Sequence, residues 1–511
     1  MSLQSSLSIA ISGLANVNRQ LAVVSQNIAN AETPGYTRKA REQQAVAHGG
    51  IEMGVRTGSQ TRVMDEGLRA DLARREAVLA NLSARESLLR TIEAAHGASA
   101  QADSLGNLVG ELQDSFIALQ SNPASAGQQS AVISAADALA RRINDVAGTV
   151  NTARQSAQDG IVDGVGRLND ALVAIASLTT QIRAAAATGR DSADLEDLRD
   201  AQMAIAATLV DARFVKQADG GVIGFTASGL TLPLDGRPPF AATGAVIGPQ
   251  SWSGGGGIPA ITLNGTDVTA LLRGGEIGGL IEMRDTTLPA WQAQLDEFAQ
   301  KLAWRFEQQG LRLFVQPGAT DPVPDPDGTL PAPQTPYVGF AQTIAVNPAV
   351  AANPSLVRDG THALSTLAGD LLDFTPNPAG GPQAFTGLLD RIVDYVFGAE
   401  AAAGVPHTPF ATAAQGPAGT IVLSDPAQVG LGTFAANLTA AQTADRAALT
   451  TQIEREGAVR DLIRQRLTDL SGVNVDREMA TMIRLQTSYA AGARLIAAVQ
   501  DMWDALLASV R

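Results

Sequence analysis

Both ends of this chain of 511 residues carry an unbroken heptad seam. At the start, Leu3, Leu7, Ala10, Leu14, Val17, Leu21, Val24, Ile28 and Ala31 recur at alternating steps of four and three, with Ser, Gln, Asn and Arg between them. That is the a/d series of a coiled coil. At the end, Met482, Leu485, Tyr489, Gly492, Ile496, Val499, Trp503, Leu506 and Val510 run in steps of three and four. Glu478 falls where this second series would extend backwards, so the seam is expected to begin after it. The first helix should stop near Ala31, because Thr33-Pro34-Gly35 is a turn signal and the residue before a proline avoids the helical region. One such helix alone reads as an amphipathic helix of a globular core. Two at opposite ends point to partners, either each other, antiparallel or parallel, or copies in other subunits. Burying one narrow stripe does not offset the cost of ordering about 30 residues, so ends that fold only on assembly are expected.

Between the ends the periodicity stays helical at first. Helices are expected over about 66–96, 104–121, 191–211, 286–309 and 437–471. The stretch 124–187 holds no proline and carries two apolar seams, one through Leu139, Ile143, Val146 and Val150, the other through Leu168, Leu172, Ile175 and Ile182. Glycines near 160–166 are expected to break or bend it. After about 212 the character changes. Phe214–Lys216, Val222–Phe225 and Leu230–Leu232 look like short strands, and Asn264-Gly265 is a hairpin turn signal. Residues 311–432 hold most of the prolines and little periodicity.

The fold expected is mainly α with β-rich inserts, an α+β chain forming a discontinuous multi-domain rod. Its N- and C-terminal helices pair as a coiled coil, long helices form the core and β-rich domains lie outside. The expected divisions are 1–60 with 471–511 for the terminal coiled coil, and 61–211 with 264–310 and 433–470 for the helical core. Residues 212–263 form a strand-rich insert and 311–432 a Pro/Gly-rich β or mixed insert.

Composition narrows the function. With 51 acidic against 37 basic residues, net charge is −14, which argues against nucleic acid as partner. The absence of cysteine excludes thiol catalysis, disulfides and cysteine-bound metal. The start has no basic n-region and no stretch nears the roughly 20 apolar residues of a membrane helix, so neither a cleaved signal peptide nor membrane insertion is expected. The four histidines lie far apart, and no HExxH, Walker loop or GxSxG occurs. Asp321, Asp325 and Asp327 are interleaved with prolines and read as a solvated turn, not a calcium loop. No catalytic residue, metal or cofactor is therefore expected, and the chain reads as a non-enzyme.

The string Ser25-Gln26-Asn27-Ile28-Ala29-Asn30-Ala31-Glu32-Thr33-Pro34-Gly35-Tyr36-Thr37-Arg38 closes the first helix. Its chemistry is legible: Asn27 and Asn30 can bond backbone groups near the helix end, Pro34-Gly35 forces the turn, and Tyr36 can pack back with its hydroxyl free. The string closely resembles the signature of flagellar axial proteins, the rod, hook and hook-associated subunits. Thr266-Asp267-Val268 with Gly274–Asp285, Leu119–Pro123, and Val473–Ala480 with Arg484-Leu485-Gln486 and Tyr489 resemble motifs of the hook-associated subunits at the hook–filament junction. The two inserts carry no such match.

The resemblance implies a structural subunit of the bacterial flagellum, secreted unfolded by the type III flagellar route and placed extracellularly between hook and filament. It implies self-association into a ring, contact with the hook protein and with a second junction protein, and an export chaperone on the C-terminal helix. The assembly residues expected are the seam positions Leu3, Leu7, Leu14, Val17, Leu21, Val24, Ile28, Met482, Leu485, Tyr489, Ile496, Val499, Trp503, Leu506 and Val510. The turn motif adds Asn27, Asn30, Thr33, Pro34, Gly35 and Tyr36. Alternatives are another axial subunit such as hook protein or flagellin, an enzyme carried on an axial scaffold, and a coiled-coil adaptor.

Overall fold

The computed structural model describes residues 3–33, 35–48, 51–96, 104–318, 323–324, 334–364, 373–424 and 426–509. The chain opens with α1 (Leu3–Ala29), a hairpin of β1 (Lys39–His48) and β2 (Ile51–Arg62), α2 (Glu66–His96), α3 (Leu105–Ser121), α4 (Ala126–Ala187) and α5 (Ala193–Val210). Strands β3 (Ala212–Lys216), β4 (Val222–Thr226) and β5 (Thr231–Leu232) follow. Next come five two-residue strands, β6 (Phe240–Ala241), β7 (Trp252–Ser253), β8 (Gly257–Ile258), β9 (Thr262–Leu263) and β10 (Thr266–Asp267). Helices α6 (Gly275–Glu282) and α7 (Leu288–Glu307) are joined by a π-helical turn over Met283–Thr287. Beyond them lie β11 (Phe314–Val315), β12 (Ala345–Val346), α8 (Pro348–Ala352), α9 (Leu356–Asp359), α10 (Gly387–Arg391), β13 (Glu400–Ala402) and β14 (Val405–Pro406). Two long helices close the chain, α11 (Leu431–Ser471) and α12 (Val475–Ser509). The fold is mainly α with small β-rich inserts.

The chain forms two compact units. The first gathers residues 1–80, 166–239 and 454–511, the second 81–165 and 240–453. Three of the four boundaries fall inside α2, α4 and α11, and the fourth lies between β5 and β6.

In the first unit, α1 lies antiparallel along α12: Asn27 reaches Glu478, Leu14 approaches Gly492, and Leu7 lines one hollow with Val499 and Trp503. The opposite side of α1 carries the β1–β2 hairpin, which the sequence did not announce. Its strands pair antiparallel from Lys39 opposite Arg62 to His48 opposite Ile51, with two register shifts. A hairpin of two strands is marginal alone, and here α1 supports it. Asn16 donates to Gln43 at 2.9 Å and Val55 N–H to Ser12 Oγ at 3.2 Å. Gly54 permits the approach: its φ is 124°, and a Cβ there would stand 2.4 Å from Ser12 Oγ. Strands β3, β4 and β5 form an antiparallel sheet, in order, where the strand signals lay.

In the second unit the helical stripes become core. Leu112, Phe116 and Leu119 of α3, Leu139, Ile143, Val146 and Val150 of α4, and Leu295, Phe298, Leu302 and Phe306 of α7 are fully buried. The Phe306 ring lies 5.6 Å from that of Phe116 in a tilted contact and meets that of Phe397 edge-to-face at 5.9 Å. The expected break near Gly160 does not occur, since α4 runs unbroken for 62 residues. Gly160 serves packing, because a Cβ there would stand 3.0 Å from Leu280 Cδ1. The glycines of Gly274–Gly279 have a similar reason. Gly275 sits at φ 67°, and a Cβ on Gly279 would meet Asn81 O at 2.5 Å. The Asn264-Gly265 signal is a hairpin joining β9 to β10, with both residues at positive φ.

The 311–432 segment is mixed, with paired two- and three-residue strands and short helices. Polar side chains of α7 hold it. Asp296 is fully buried and accepts from Gly339 N–H at 2.8 Å and Ala341 N–H at 2.9 Å. Glu297 accepts from Tyr337 Oη at 2.6 Å and Ala411 N–H at 2.7 Å. Arg305 donates to Gly398 O at 2.7 Å and Val429 O at 3.0 Å. Asp321, Asp325 and Asp327 lie outside the described residues.

Candidate functional site

The candidate site is the pair of terminal helices and the turn that closes the first of them. Leu7, Leu14, Val17, Leu21 and Ile28 are half-buried and Val24 is buried. On α12, Met482, Leu485 and Ile496 are half-buried and Val499 is buried. Tyr489, Trp503 and Leu506 remain 39%, 45% and 50% exposed within one chain. Val510 and Pro34 lie outside the described residues, as does the side chain of Leu3. Further apolar side chains of α12, among them Met479, Ile483, Leu495 and Met502, are exposed beside the seam. The heptad count did not single them out, because they fall at other positions of the repeat.

At the inner end of the pair the turn motif is built around Asn27, which is fully buried. Its amide donates to Lys39 O at 2.9 Å, and its carbonyl accepts Lys39 N–H at 3.0 Å. Asn30 Nδ2 returns to Gln26 O at 2.9 Å, and Thr33 Oγ1 bonds Asn30 Oδ1 at 3.2 Å, so both asparagines close the helix end. Gly35 takes φ 80°, a conformation glycine adopts freely. The Tyr36 hydroxyl is not free: it donates to Asn27 Oδ1 at 2.9 Å. Burial, with Asp197 and Glu478 nearby, pushes its pKa up to about 12, so the donor proton stays in place.

Glu478 was expected to lie just before the start of the seam. It occupies a core position, is 1% exposed, and joins the two ends of the chain. One oxygen takes Arg38 Nε at 2.7 Å and the other takes Asn27 Nδ2 at 3.1 Å. A charged residue at a heptad core position, with Arg38-Lys39 directly after the turn, was the signal that could have found it. Lys39 is buried too. It pairs with Asp194 and, at 3.5 Å, with Asp197, and lies 4.3 Å from the centre of the Tyr36 ring. Arg62 extends the network to Glu196, Asp197 and Asp200, and Arg69 and Lys216 also reach Asp200. Burial alone would raise the Asp200 carboxyl, but Arg69, Arg62 and Lys216 hold it below the usual carboxylate range.

A cleft of about 1120 Å³ opens beside the turn, with Leu72, Phe214 and Phe225 among its apolar walls and Arg213, Lys216 and Arg477 among its charged ones. Among the described residues no three His, Asp or Glu side chains gather as metal ligands. Among them, too, no helix is long and apolar enough to cross a membrane.

Three family models match the sequence. Residues 7–37 match the flagella basal body rod protein model, and residues 89–319 match the flagellar hook-associated protein FlgK helical domain. Residues 465–509 match the flagellar basal body rod FlgEFG protein C-terminal model. Among curated proteins nothing matches. The solved structures include the flagellar hook junction protein FlgK from Burkholderia pseudomallei, 21% identical, with a TM-score of 0.39. That likeness covers 48% of this chain and 44% of the other, so the chain matches under half of that protein's length.

Proposed function

We infer that this chain, a relative of the flagellar hook-associated proteins of the FlgK kind, is a structural subunit of the joint between flagellar hook and filament. The order of the matched regions carries the reading. Rod-protein models sit at the two extreme ends and a FlgK helical-domain model lies between them. The middle match favours a hook-associated subunit over a rod or hook protein. The chain works mechanically and without catalysis.

In this reading the α1–α12 pair is the assembling piece. Its a/d residues hold the pair together, and the half-exposed Tyr489, Trp503 and Leu506 offer the rest of the seam to a neighbouring copy in a ring. The turn motif of Asn27, Asn30, Thr33, Pro34, Gly35 and Tyr36 fixes where the pair meets the rest of its unit. Hook protein on one side and a second junction protein on the other are the proposed neighbours. A chaperone covering the apolar surface of α12 before type III export, and an extracellular final position, belong to the same proposal.

The test is replacement of Leu14 and Leu21 by Asp in the full chain, supplied to cells lacking their own copy. Cells given the unchanged chain should carry filaments. Cells given the variant at equal expression should carry bare hooks and shed filament subunits into the medium. Normal filaments on the variant would overturn the reading.

A further inference from the structure

The residues that follow the first turn are shared among four helices. Tyr36 donates to Asn27 in α1, and Thr37 Oγ1 donates to Asp197 in α5 at 2.6 Å. Arg38 gives its backbone N–H to Ser471 O, the last residue of α11, at 2.8 Å and its side chain to Glu478 in α12. Of these helices, α12 comes from the far end of the chain, and it supplies one buried acid. Both Glu478 oxygens are taken, one by each partner. Without α12, Arg38 loses its counter-charge and the buried amide of Asn27 loses an acceptor. With α12 in place but Asn27 or Arg38 missing, a carboxylate is left buried and under-bonded. Either half alone is costly, and only the closed arrangement satisfies all three groups.

We propose that Glu478 is a latch coupling the two ends of the chain, so that whatever draws α12 away from α1 also releases the turn at 33–39 and the N-terminal helix. The coupling is reciprocal, since the same bonds hold both helices. It concerns one chain and does not depend on the flagellar reading. A failed latch leaves the filament test above unchanged, and a failed filament test leaves the latch standing.

Timed trypsin digestion of the full chain, with fragment masses, reads the coupling. Arg19 reports on α1, Arg484 on α12, and Arg312 in the other unit serves as control. Glu478→Ala should speed cleavage at Arg19 about tenfold or more, with Arg312 unchanged. Glu478→Gln still accepts from Asn27 but lacks the charge for Arg38, and should fall between Glu478→Ala and the unchanged chain. Asn27→Ala should speed cleavage at Arg484 in turn. The latch is overturned if Arg19 is cut at the same rate in Glu478→Ala and the unchanged chain. It is equally overturned if Arg312 accelerates as much as Arg19, or if Asn27→Ala leaves Arg484 unaffected.

Discussion

The clasp at the terminal helices and the insert over α7 both hold irregular backbone against helices, by different chemistry. In the clasp, apart from the hold of Asn27 on the Lys39 backbone, charged side chains meet charged side chains: Arg38 with Glu478, Lys39 with Asp194, and Arg62 with Glu196, Asp197 and Asp200. In the second unit, side chains of α7, of the turn just after it and of α4 grip the loop backbone itself. Arg305 takes two carbonyls, Gln309 donates to Ala401 O at 2.9 Å, and Gln300 donates to Pro324 O at 2.8 Å. On α4, Gln158 reaches Thr243 O at 2.8 Å and Arg154 reaches Ser251 O at 2.8 Å. Burial pushes Arg154 and Arg305 each down to about 10, still well above neutral pH, so both remain charged donors. A loop held by its carbonyls can vary its side chains freely. A joint held by paired charges fixes the residue type on both sides. That difference fits a segment after residue 319 that no family model matches and ends that two models do match, although the first insert, 212–263, lies within the matched helical-domain region.

The comparison breaks most easily at Arg305. Arg305→Met keeps apolar contact with Phe410, over whose ring the guanidinium now lies, but strands two carbonyls. The expected loss is about 3 kcal/mol. Urea unfolding followed by tryptophan fluorescence would read it, since Trp252, Trp291 and Trp304 belong to this unit and the α12 tryptophan lies in the other. A loss near zero would mean that backbone capture is incidental to how the insert is held.

Acid and alkali probe the same region. Burial, reinforced by neighbouring Glu297, pushes Asp296 up to about 7 despite three hydrogen-bonding partners. A carboxyl raised in the folded state contributes stability that is whole below about 3.8 and is lost as pH climbs to about 7. His407 runs the other way. Burial, then Arg305 and Lys301, push it down to about 4, so its contribution is present above 6.5 and lost as pH falls toward 4. The two slopes oppose each other over one window, each on the order of 3 kcal/mol at full extent. Relative to the unchanged chain, His407→Gln should lose stability as pH rises from 4.5 to 7, on the order of 2–3 kcal/mol. Asp296→Asn should lose it as pH falls over the same range. Urea midpoints at the two ends of that range decide it, and parallel profiles for all three proteins would refute the opposition.

How far the sequence reveals these two regions follows from the same contrast. Seams such as Leu295–Phe306 or Leu139–Val150 are legible because burial along a helix repeats every three or four residues, and the described helices stand where those seams lie. Asn27 and Tyr36 are legible as members of a dense string. The β1–β2 hairpin is not, because half of Lys39–His48 is Ala and Gln, with Lys39, Arg41 and Glu42 beside them, residues that favour helix and show no strict alternation. The latch is half legible: Glu478 stands out as an acid in an apolar series, but its partners lie at the other end of the chain. The grip of Arg305 and Gln309 on the insert leaves no trace in sequence, since a carbonyl is present at every residue.

The smallest effect separates charge from burial within the first unit. Arg464 on α11 pairs with Glu76 on α2 much as Arg38 pairs with Glu478, but its side chain is 52% exposed and that of Glu76 24%. Water already solvates both groups well, and holding two long side chains together costs entropy. Arg464→Ala should therefore change stability by about 0.5 kcal/mol or less. In high salt even that difference should vanish. Unfolding of this variant and of Glu478→Ala, read by cleavage in the first unit, puts the two pairs side by side. If Arg464→Ala costs as much as Glu478→Ala, then surface charge along α2 and α11 holds this unit as firmly as the buried clasp, and burial is not what sets the clasp apart.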